Sequence, residues 1–185
     1  MGTVLVEISD RKRAEAALKE REEEFRAIFE NAVVGITKVA PDGKFLKVNP
    51  GLCELLGYTE SQLLAIDFQY CTHPEDLQKE LSCDSLYQAP SISSFSLEKR
   101  FIRSDGEVVW TNVTIGLVND FSGENKYAIG VIADITARKQ AEQDLKESQQ
   151  RFQILAEVSP VAIVRTDVTG NSLYFNDCWR QISWN

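Results

Sequence analysis

The chain repeats itself at a fixed offset of 127 residues, and this repeat limits the fold more than any other feature. The segment ISDRKRAEAALKE, which begins at Ile8, returns as ITARKQAEQDLKE, which begins at Ile135. The register then continues without a gap, so that Phe25 is equivalent to Phe152. A period of this length is too long for a solenoid repeat and matches a small domain together with its linker. The sequence therefore predicts one complete domain and part of another.

Charge and hydropathy exclude several classes of protein. The 185 residues carry a net charge of −8, whereas a nucleic-acid surface or a polybasic membrane anchor requires a basic patch. No apolar run approaches the roughly 18 residues that span a bilayer, and the N-terminus lacks the apolar core of a signal peptide. We therefore predict a cytoplasmic location, with no nucleic-acid partner and no membrane partner.

Two segments with the same apolar stripe, residues 9–31 and 136–158, are predicted to be helices. The spacings suit a coiled-coil seam, but Arg21 and Ser148 interrupt it before three clean heptads are reached. Each helix could lie on its own domain or pair with a second copy of the chain, and the second alternative is slightly favoured. The stripe consists of Ala14, Leu18, Phe25 and Ile28 in the first segment and of Ala141, Leu145, Phe152 and Leu155 in the second.

The segment between these helices has the pattern of an α+β domain. Apolar and alternating runs predict five strands, over residues 33–40, 44–48, 95–101, 109–115 and 127–133. Short helices are predicted between the second and third strands, over residues 50–57, 60–64, 67–71 and 74–87. Turn signals stand at residues 41–43, 105–106 and 121–125. This order fits one antiparallel sheet with its helices on one face.

Several blocks of residues occur in the order typical of one family. They are ENAVVGI at 30–36, DGKFLKVN at 42–49, LGYTESQLL at 56–64, HPED at 73–76, EKRFIRSDGEVVW at 98–110 and DITARKQAE at 134–142. Together they resemble a PAS domain with its C-terminal PAC motif, the sensory-box type of bacterial multi-PAS proteins such as sensor histidine kinases and diguanylate cyclases. The resemblance implies a PAS fold, whose five-stranded antiparallel sheet has the order 2-1-5-4-3. Short helices would cover one face and could enclose a small pocket.

The repeat and the resemblance together predict the domain boundaries. Residues 4–8 align with residues 131–135, so residues 1–8 are predicted to be a remnant of the last strand of a preceding PAS unit. A linker helix over 9–31 leads into a complete PAS/PAC domain over 25–135. A second linker helix over 136–158 then leads into the truncated start of a second PAS domain over 159–185.

The resemblance implies a non-catalytic sensory and dimerisation module for signal transduction. Binding of a ligand or partner would be relayed through the linker helices to an output domain of the same longer protein, a kinase or cyclase outside this chain, as in two-component phosphorelay. The homodimer would form through Leu18, Phe25, Ile28, Leu145 and Phe152. Two alternatives stay open: a pure protein–protein interaction module with a filled core, and a redox or light sensor with bound haem or flavin.

The resemblance also implies where a signal would enter and leave. An interior cavity would be lined by Ile36, Cys53, Leu56, Phe68, Phe101 and Ile129, and would accept a small-molecule ligand unless these residues simply fill the core. The signal would leave through Asp134, Ile135 and Thr136, where the last strand meets the outgoing helix.

No cofactor, metal site or catalytic residue is predicted. His73 precedes Pro74 and is interpreted as a helix cap rather than a haem ligand. Light-sensing relatives attach flavin through a cysteine, but Phe68 occupies that position and Cys71 lies three residues later. None of the four cysteines forms a C-x-x-C pair, so they are predicted to be reduced packing residues.

Overall fold

A computed structural model describes residues 2–82, 94–119 and 125–183 of the chain. It divides into two compact units, Met1–Thr136 and Ala137–Asn185. The first unit contains the elements Gly2–Asn31 (α1), Gly35–Val39 (β1), Phe45–Val48 (β2), Pro50–Leu56 (α2), Glu60–Leu64 (α3), Phe68–Cys71 (α4), Pro74–Ser82 (α5), Ser94–Ile102 (β3), Val108–Asn119 (β4) and Asn125–Asp134 (β5). The second contains Thr136–Val158 (α6), which begins at the boundary, Val164–Thr166 (β6), Ser172–Phe175 (β7) and Asp177–Ser183 (α7).

The strands of the first unit form one five-stranded sheet in the order β2-β1-β5-β4-β3, and all neighbours are antiparallel. This confirms the predicted α+β class and the predicted strand order. Strand β5 lies at the centre, where Gly130 pairs with Thr37 of β1 and with Ile115 of β4. The last strand before the outgoing helix therefore contacts both halves of the sheet.

Alternation along the strands gives the sheet one buried face. On β4, Val109, Val113 and Ile115 are buried, whereas the side chains between them are more exposed. Leu52 and Leu56 of α2 are fully buried in the same core. Burial of apolar side chains between the helices and this face stabilises the two layers by about 1.5–3 kcal/mol for each large residue. The core consists of Phe45, Val48, Leu52, Leu56, Leu63, Cys71, Phe101, Val109, Val113, Ile115 and Ile132.

Helices α2 and α3 begin and end where the sequence predicts. Asn49 caps α2 by accepting a hydrogen bond from the backbone N–H of Leu52, and Pro50 occupies the first turn, where no intrahelical donor is needed. Gly57 ends the helix in the left-handed region at φ 74°, a conformation that side chains with a Cβ rarely adopt. Thr59 and Gln62 form a capping box at the start of α3.

The first helix begins earlier than predicted. Residues 4–8 belong to α1, which begins at Gly2, so the expected strand conformation is wrong, and so is a helix start after Ser9. A strand at this position would need a neighbouring strand to pair with its backbone groups, whereas a helix satisfies most of them itself. That residues 1–8 are the remnant of a preceding PAS unit stays a prediction.

The second unit repeats the opening of the first. Helix α6 spans the predicted residues 136–158 and is followed by two antiparallel strands and a helix.

None of the helices within the described residues is long and apolar enough to cross a membrane. The end of the helix predicted over 74–87, Cys83 and the turn predicted at 121–125, except for Asn125 at the start of β5, lie outside the described residues.

Candidate ligand cavity and helix junctions

A cavity of about 270 Å³ lies between the buried face of the sheet and helices α2 and α4. Its volume is slightly below the range of about 300–1,000 Å³ that is typical of pockets for drug-sized ligands. Most of its wall is apolar, so it suits a small molecule with a hydrocarbon part. The described wall consists of Thr37, Val39, Ala40, Pro41, Asp42, Gly43, Phe45, Leu52, Leu56, Phe68, Gln69, Lys99, Phe101, Val113, Ile115, Leu117, Ala128, Gly130 and Ile132.

Three of the six side chains predicted to line a cavity do so, namely Leu56, Phe68 and Phe101. Whether they bind a ligand stays a prediction. The other three placements are wrong. Ile36 and Ile129 point to the opposite face of the sheet, because their neighbours Thr37, Ala128 and Gly130 face the cavity and adjacent strand residues alternate.

Cys53 packs beside the core from α2, where Leu52 and Leu56 supply the wall instead. Burial raises the pKa of the Cys53 thiol, with the carboxylate of Glu60 adding to the effect. A thiol with a raised pKa is a poor nucleophile at neutral pH. This supports the packing role predicted from the sequence.

Lys99 is the buried charged residue of the described wall, and the sequence prediction did not include it. It is only 3% exposed, and its Nζ lies 4.9 Å from the ring centre of Phe68 and 4.8 Å from that of Phe101. The same atom lies 3.5 Å from Oγ1 of Thr72. The signal was present in the sequence, because Leu97, Lys99 and Phe101 share one face of an alternating strand. Cation–π contacts with two rings make burial of the ammonium tolerable.

Asn49 joins the incoming helix to the sheet. Its Nδ2 donates to the carbonyl oxygens of Phe29 at 3.1 Å and Val34 at 3.0 Å. Its Oδ1 accepts from the backbone N–H of Ile36 at 2.7 Å and of Leu52 at 2.9 Å. The side chain is fully buried. One amide therefore holds the end of α1, the start of β1 and the first turn of α2 together.

The second unit reproduces this junction atom for atom. Asn176 donates to the carbonyl oxygens of Ala156 at 2.8 Å and Val161 at 2.9 Å, and it accepts from the N–H groups of Ile163 at 2.9 Å and Trp179 at 3.1 Å. Each of these five residues lies 127 positions after its counterpart around Asn49. The sequence repeat thus corresponds to a repeated connection between a linker helix and a sheet.

Asp134, Ile135 and Thr136 form the outgoing junction. Oδ1 of Asp134 accepts from the N–H of Thr136 at 2.7 Å, and the N–H of Ile135 donates to the carbonyl of Trp110 at 2.9 Å. The backbone N–H of Trp110 donates to Oγ1 of Thr136 at 3.1 Å. Asp134 therefore fixes the turn, and Trp110 of β4 anchors it. Helix α6 begins at Thr136. The hydroxyl of Thr136 bonds Trp110 in the sheet and does not cap the helix.

An ion-pair cluster closes the free edge of the sheet at β3. The guanidinium of Arg100 donates to both carboxylate oxygens of Asp76 and to Glu75, each at 2.8 Å, and its backbone N–H also bonds Asp76. Hydrogen bonds to Asp76 and then Glu75 raise the pKa of Arg100, and the Arg100 guanidinium lowers the pKa of Glu75. The N–H of His73 donates to the carbonyl of Arg100. Helix α5 is thereby held against an edge strand.

His73 has the structural role that the sequence predicts. Its carbonyl accepts from the N–H groups of Asp76 and Leu77, and its Nδ1 accepts from the N–H of Glu75 at 3.3 Å. The residue therefore caps α5. Within the described residues, no group of three or more histidine, cysteine or acidic side chains is arranged to hold a metal ion.

The apolar stripes of both linker helices are exposed to solvent. Leu18 and Leu145 are each 60% exposed, and Phe25 and Phe152 are at least half exposed. Ile28 is exposed as well, whereas Phe29 is buried beside Lys47, whose Nζ lies 4.6 Å from its ring centre. Among the residues of α1 whose side chains the structure describes, only Phe29 is buried, and the stripe residues Leu18, Phe25 and Ile28 stay largely exposed.

A family model described as a PAS domain matches residues 30–137, more than half of the chain. This chain belongs to the PAS domain family. The match covers the complete five-stranded sheet, the cavity and both junctions of the first unit. A PAS domain is a sensory module rather than a catalytic one, so this region serves signal transduction without catalysing a reaction.

Similar proteins are signalling proteins. The probable diguanylate cyclase DgcE of Escherichia coli is 32% identical over 154 residues, 83% of this chain. The sensor histidine kinase TmoS of Ectopseudomonas mendocina is 28% identical over 137 residues, 74% of this chain. The chain spans 14% of the length of each of these relatives.

Solved PAS domains share the fold. The PAS domain of an HTR-like protein from Haloarcula marismortui has a TM-score of 0.53 and 29% identity, with coverage of 67% of this chain and 99% of that one. A PAS domain from Colwellia psychrerythraea has a TM-score of 0.56 at 20% identity, with coverage of 65% and 98%. At 20% identity, the similarity to the Colwellia domain shows a shared fold and nothing more.

Proposed function

We propose that this PAS module senses a small molecule in its cavity and relays binding to its linker helices. One observation carries the proposal. Ala128, Gly130 and Ile132 of β5 line the cavity, and the same strand continues directly into Asp134 and the outgoing helix. A shift of β5 caused by a ligand would therefore change the hydrogen bonds that fix the start of α6. Such a change shifts the equilibrium between two packing arrangements of the outgoing helix and requires no catalysed reaction.

The cavity supports a ligand over a filled core. Large side chains such as Leu52 and Leu56 are fully buried beside it, yet they leave about 270 Å³ of space. The volume favours a small metabolite over haem or flavin. His73 is used as a helix cap, and Phe68 stands in the wall where light-sensing relatives have a reactive cysteine.

The linker helices support a homodimer. The exposed stripe recurs on α1 and α6 at equivalent positions, and a second copy of this chain presents the same surface in return. Burial of leucine and phenylalanine side chains in a helix–helix seam would supply the association energy. The output domain, a kinase or cyclase by analogy with the relatives, would follow in the same longer protein.

We expect the double substitution Leu18→Lys and Leu145→Lys to weaken dimerisation by about tenfold or more, because four charged side chains would enter the seam. Multi-angle light scattering across a dilution series measures this. The matched control is Ala16→Lys with Gln143→Lys, which adds the same charge at exposed, equivalent positions beside the stripe. An unchanged dimer in the stripe variant would contradict the helix seam.

We place the module in the cytoplasm. Cys53, Cys71 and Cys178 are free thiols among the described residues. Reduced cysteines are usual in the cytosol, whereas exported domains tend to pair them.

A further inference from the structure

The described wall of the cavity reaches solvent at one place. Its exposed members are Pro41, Asp42 and Gln69, whereas Leu52 and Leu56 of α2 are fully buried. Pro41 and Asp42 belong to the turn between β1 and β2, and Gln69 belongs to α4. A residue that both lines a cavity and contacts bulk water marks where the cavity approaches the surface. The described wall therefore opens between this turn and α4.

The two sides of this opening touch each other. The backbone N–H of Phe68 in α4 donates to the carbonyl of Gly43 in the turn at 3.1 Å, and Lys44 forms a β-bridge with Asp67. Gly43 has φ 88°, a conformation that costs glycine little and other residues more. A Cβ at this position would lie 3.1 Å from Cε1 of the Phe68 ring. The missing side chain thus lets the ring lie directly against the turn.

Phe68 belongs to the opening and to the interior at once. Its half-buried ring lines the cavity and lies beside Gly43 of the turn. Gln69, the exposed wall residue of α4, follows it directly in the chain. The ring therefore stands where a molecule moving from solvent into the cavity would pass between the turn and α4.

Helix α4 is joined to the sheet at both of its ends by separate contacts. Thr72, directly after the helix, forms a β-bridge with Phe101 of β3. At the start of the helix, the bond from Phe68 to Gly43 crosses the opening. Breaking the contact at the start leaves the four-residue helix tied to β3 at its end, so α4 can tilt away from the turn while the sheet stays intact.

From this arrangement we infer that ligands enter the cavity between the β1–β2 turn and α4, and that the ring of Phe68 is the gate that they displace. The inference rests on the proposed sensing function and adds the control of ligand entry. Association that waits for such an opening is slower than simple diffusion allows. Entry and exit cross the same barrier, so a looser gate raises the rate constants of association and dissociation together.

Fluorobenzene is a suitable probe, because it is small and apolar. The cavity volume corresponds to about nine water molecules at ~30 Å³ each, and fluorobenzene has about seven non-hydrogen atoms. Exchange between its free and bound ¹⁹F resonances gives both rate constants when the concentration of the full chain is varied. Chemical shifts of the Thr37 and Gly130 amides, both in the cavity wall, show that the probe binds there.

Phe68→Leu keeps the wall apolar and leaves a smaller side chain at the opening. We expect the association rate constant of fluorobenzene to rise about tenfold, because less side chain must be displaced on entry. Phe101→Leu is the matched control, since Phe101 lines the same cavity but is only 4% exposed. It should change the dissociation rate constant through altered contacts and leave the association rate constant unchanged.

Pro41→Gly tests the other side of the opening. Proline restricts the backbone of the turn and glycine frees it, so both rate constants should rise. This variant decides the matter if Phe68→Leu does not fold.

Two results would overturn the inference, and they differ in what else they overturn. An association rate constant that is unchanged in Phe68→Leu and in Pro41→Gly, or that rises equally in Phe101→Leu, would reject the gate and leave a ligand-binding cavity intact. Absence of a bound ¹⁹F resonance and of any shift in the wall amides would reject the gate and also the proposed sensing of small molecules in this cavity.

Discussion

Replacing Asn49 with alanine is expected to lower the free energy of unfolding of the first unit by about 4 kcal/mol. The substitution removes four hydrogen bonds at a fully buried position. It leaves the N–H of Ile36 and the carbonyl groups of Phe29 and Val34 without this partner. The N–H of Leu52 keeps its bond to the backbone carbonyl of residue 49. Each buried group left unsatisfied costs about 1–3 kcal/mol, reduced where water can enter. Urea unfolding followed by circular dichroism measures the change.

Amide hydrogen exchange shows whether the loss is local to this junction. The N–H groups of Ile36 and Leu52 should exchange faster in Asn49→Ala, whereas those of Ile163 and Trp179 should exchange faster in Asn176→Ala. Each variant is the control for the other. Unchanged exchange at Ile36 in Asn49→Ala would contradict the anchoring role.

The second large effect is expected at the edge of the sheet, where Asp76→Asn should destabilise the first unit by about 3 kcal/mol. The side chain of Asp76 is 8% exposed and accepts three hydrogen bonds from Arg100, so neutralising it leaves a guanidinium with reduced compensation. Glu75→Gln is the matched control, because Glu75 bonds the same guanidinium at 2.8 Å but is 71% exposed.

Thermal unfolding of the two variants distinguishes burial from ion pairing as the origin of the effect. Exposed ion pairs contribute little, so Glu75→Gln should lower the melting temperature far less than Asp76→Asn does. Equal losses in the two variants would show that the contact itself, and not its burial, stabilises the edge.

Much of the fold could be predicted because it depends on local signals. Alternation along β3 and β4 and the turn at Gly106 predict a hairpin, and Gly106 indeed has φ 89°. The order of the five strands depends on contacts between distant segments. It came from the resemblance to PAS domains and not from any local pattern.

The site could be predicted only in part because a cavity depends on which face each strand residue occupies. A shift by one position moves a side chain to the other face, and this error misplaced Ile36 and Ile129. Lys99 was overlooked because charge suggests exposure, although alternation placed it beside Phe101. The four partners of Asn49 come from three elements, so only its role as a helix cap was visible in the sequence.

The central claim is that the state of the cavity changes the outgoing junction. Ala128→Leu adds a side chain to the cavity from β5 and imitates a bound ligand, whereas Ile129→Phe adds volume on the opposite face of the same strand. Ile135 and Thr136 report on the junction, because their N–H groups bond Trp110 and Asp134.

Amide hydrogen exchange of Ile135 and Thr136 in these two variants is the most direct measurement. We predict a change of about tenfold, equivalent to ~1.4 kcal/mol, in Ala128→Leu and little change in Ile129→Phe, with both variants folded by circular dichroism. Exchange at the junction that stays the same when the cavity is filled, or that changes equally in both variants, would contradict the relay.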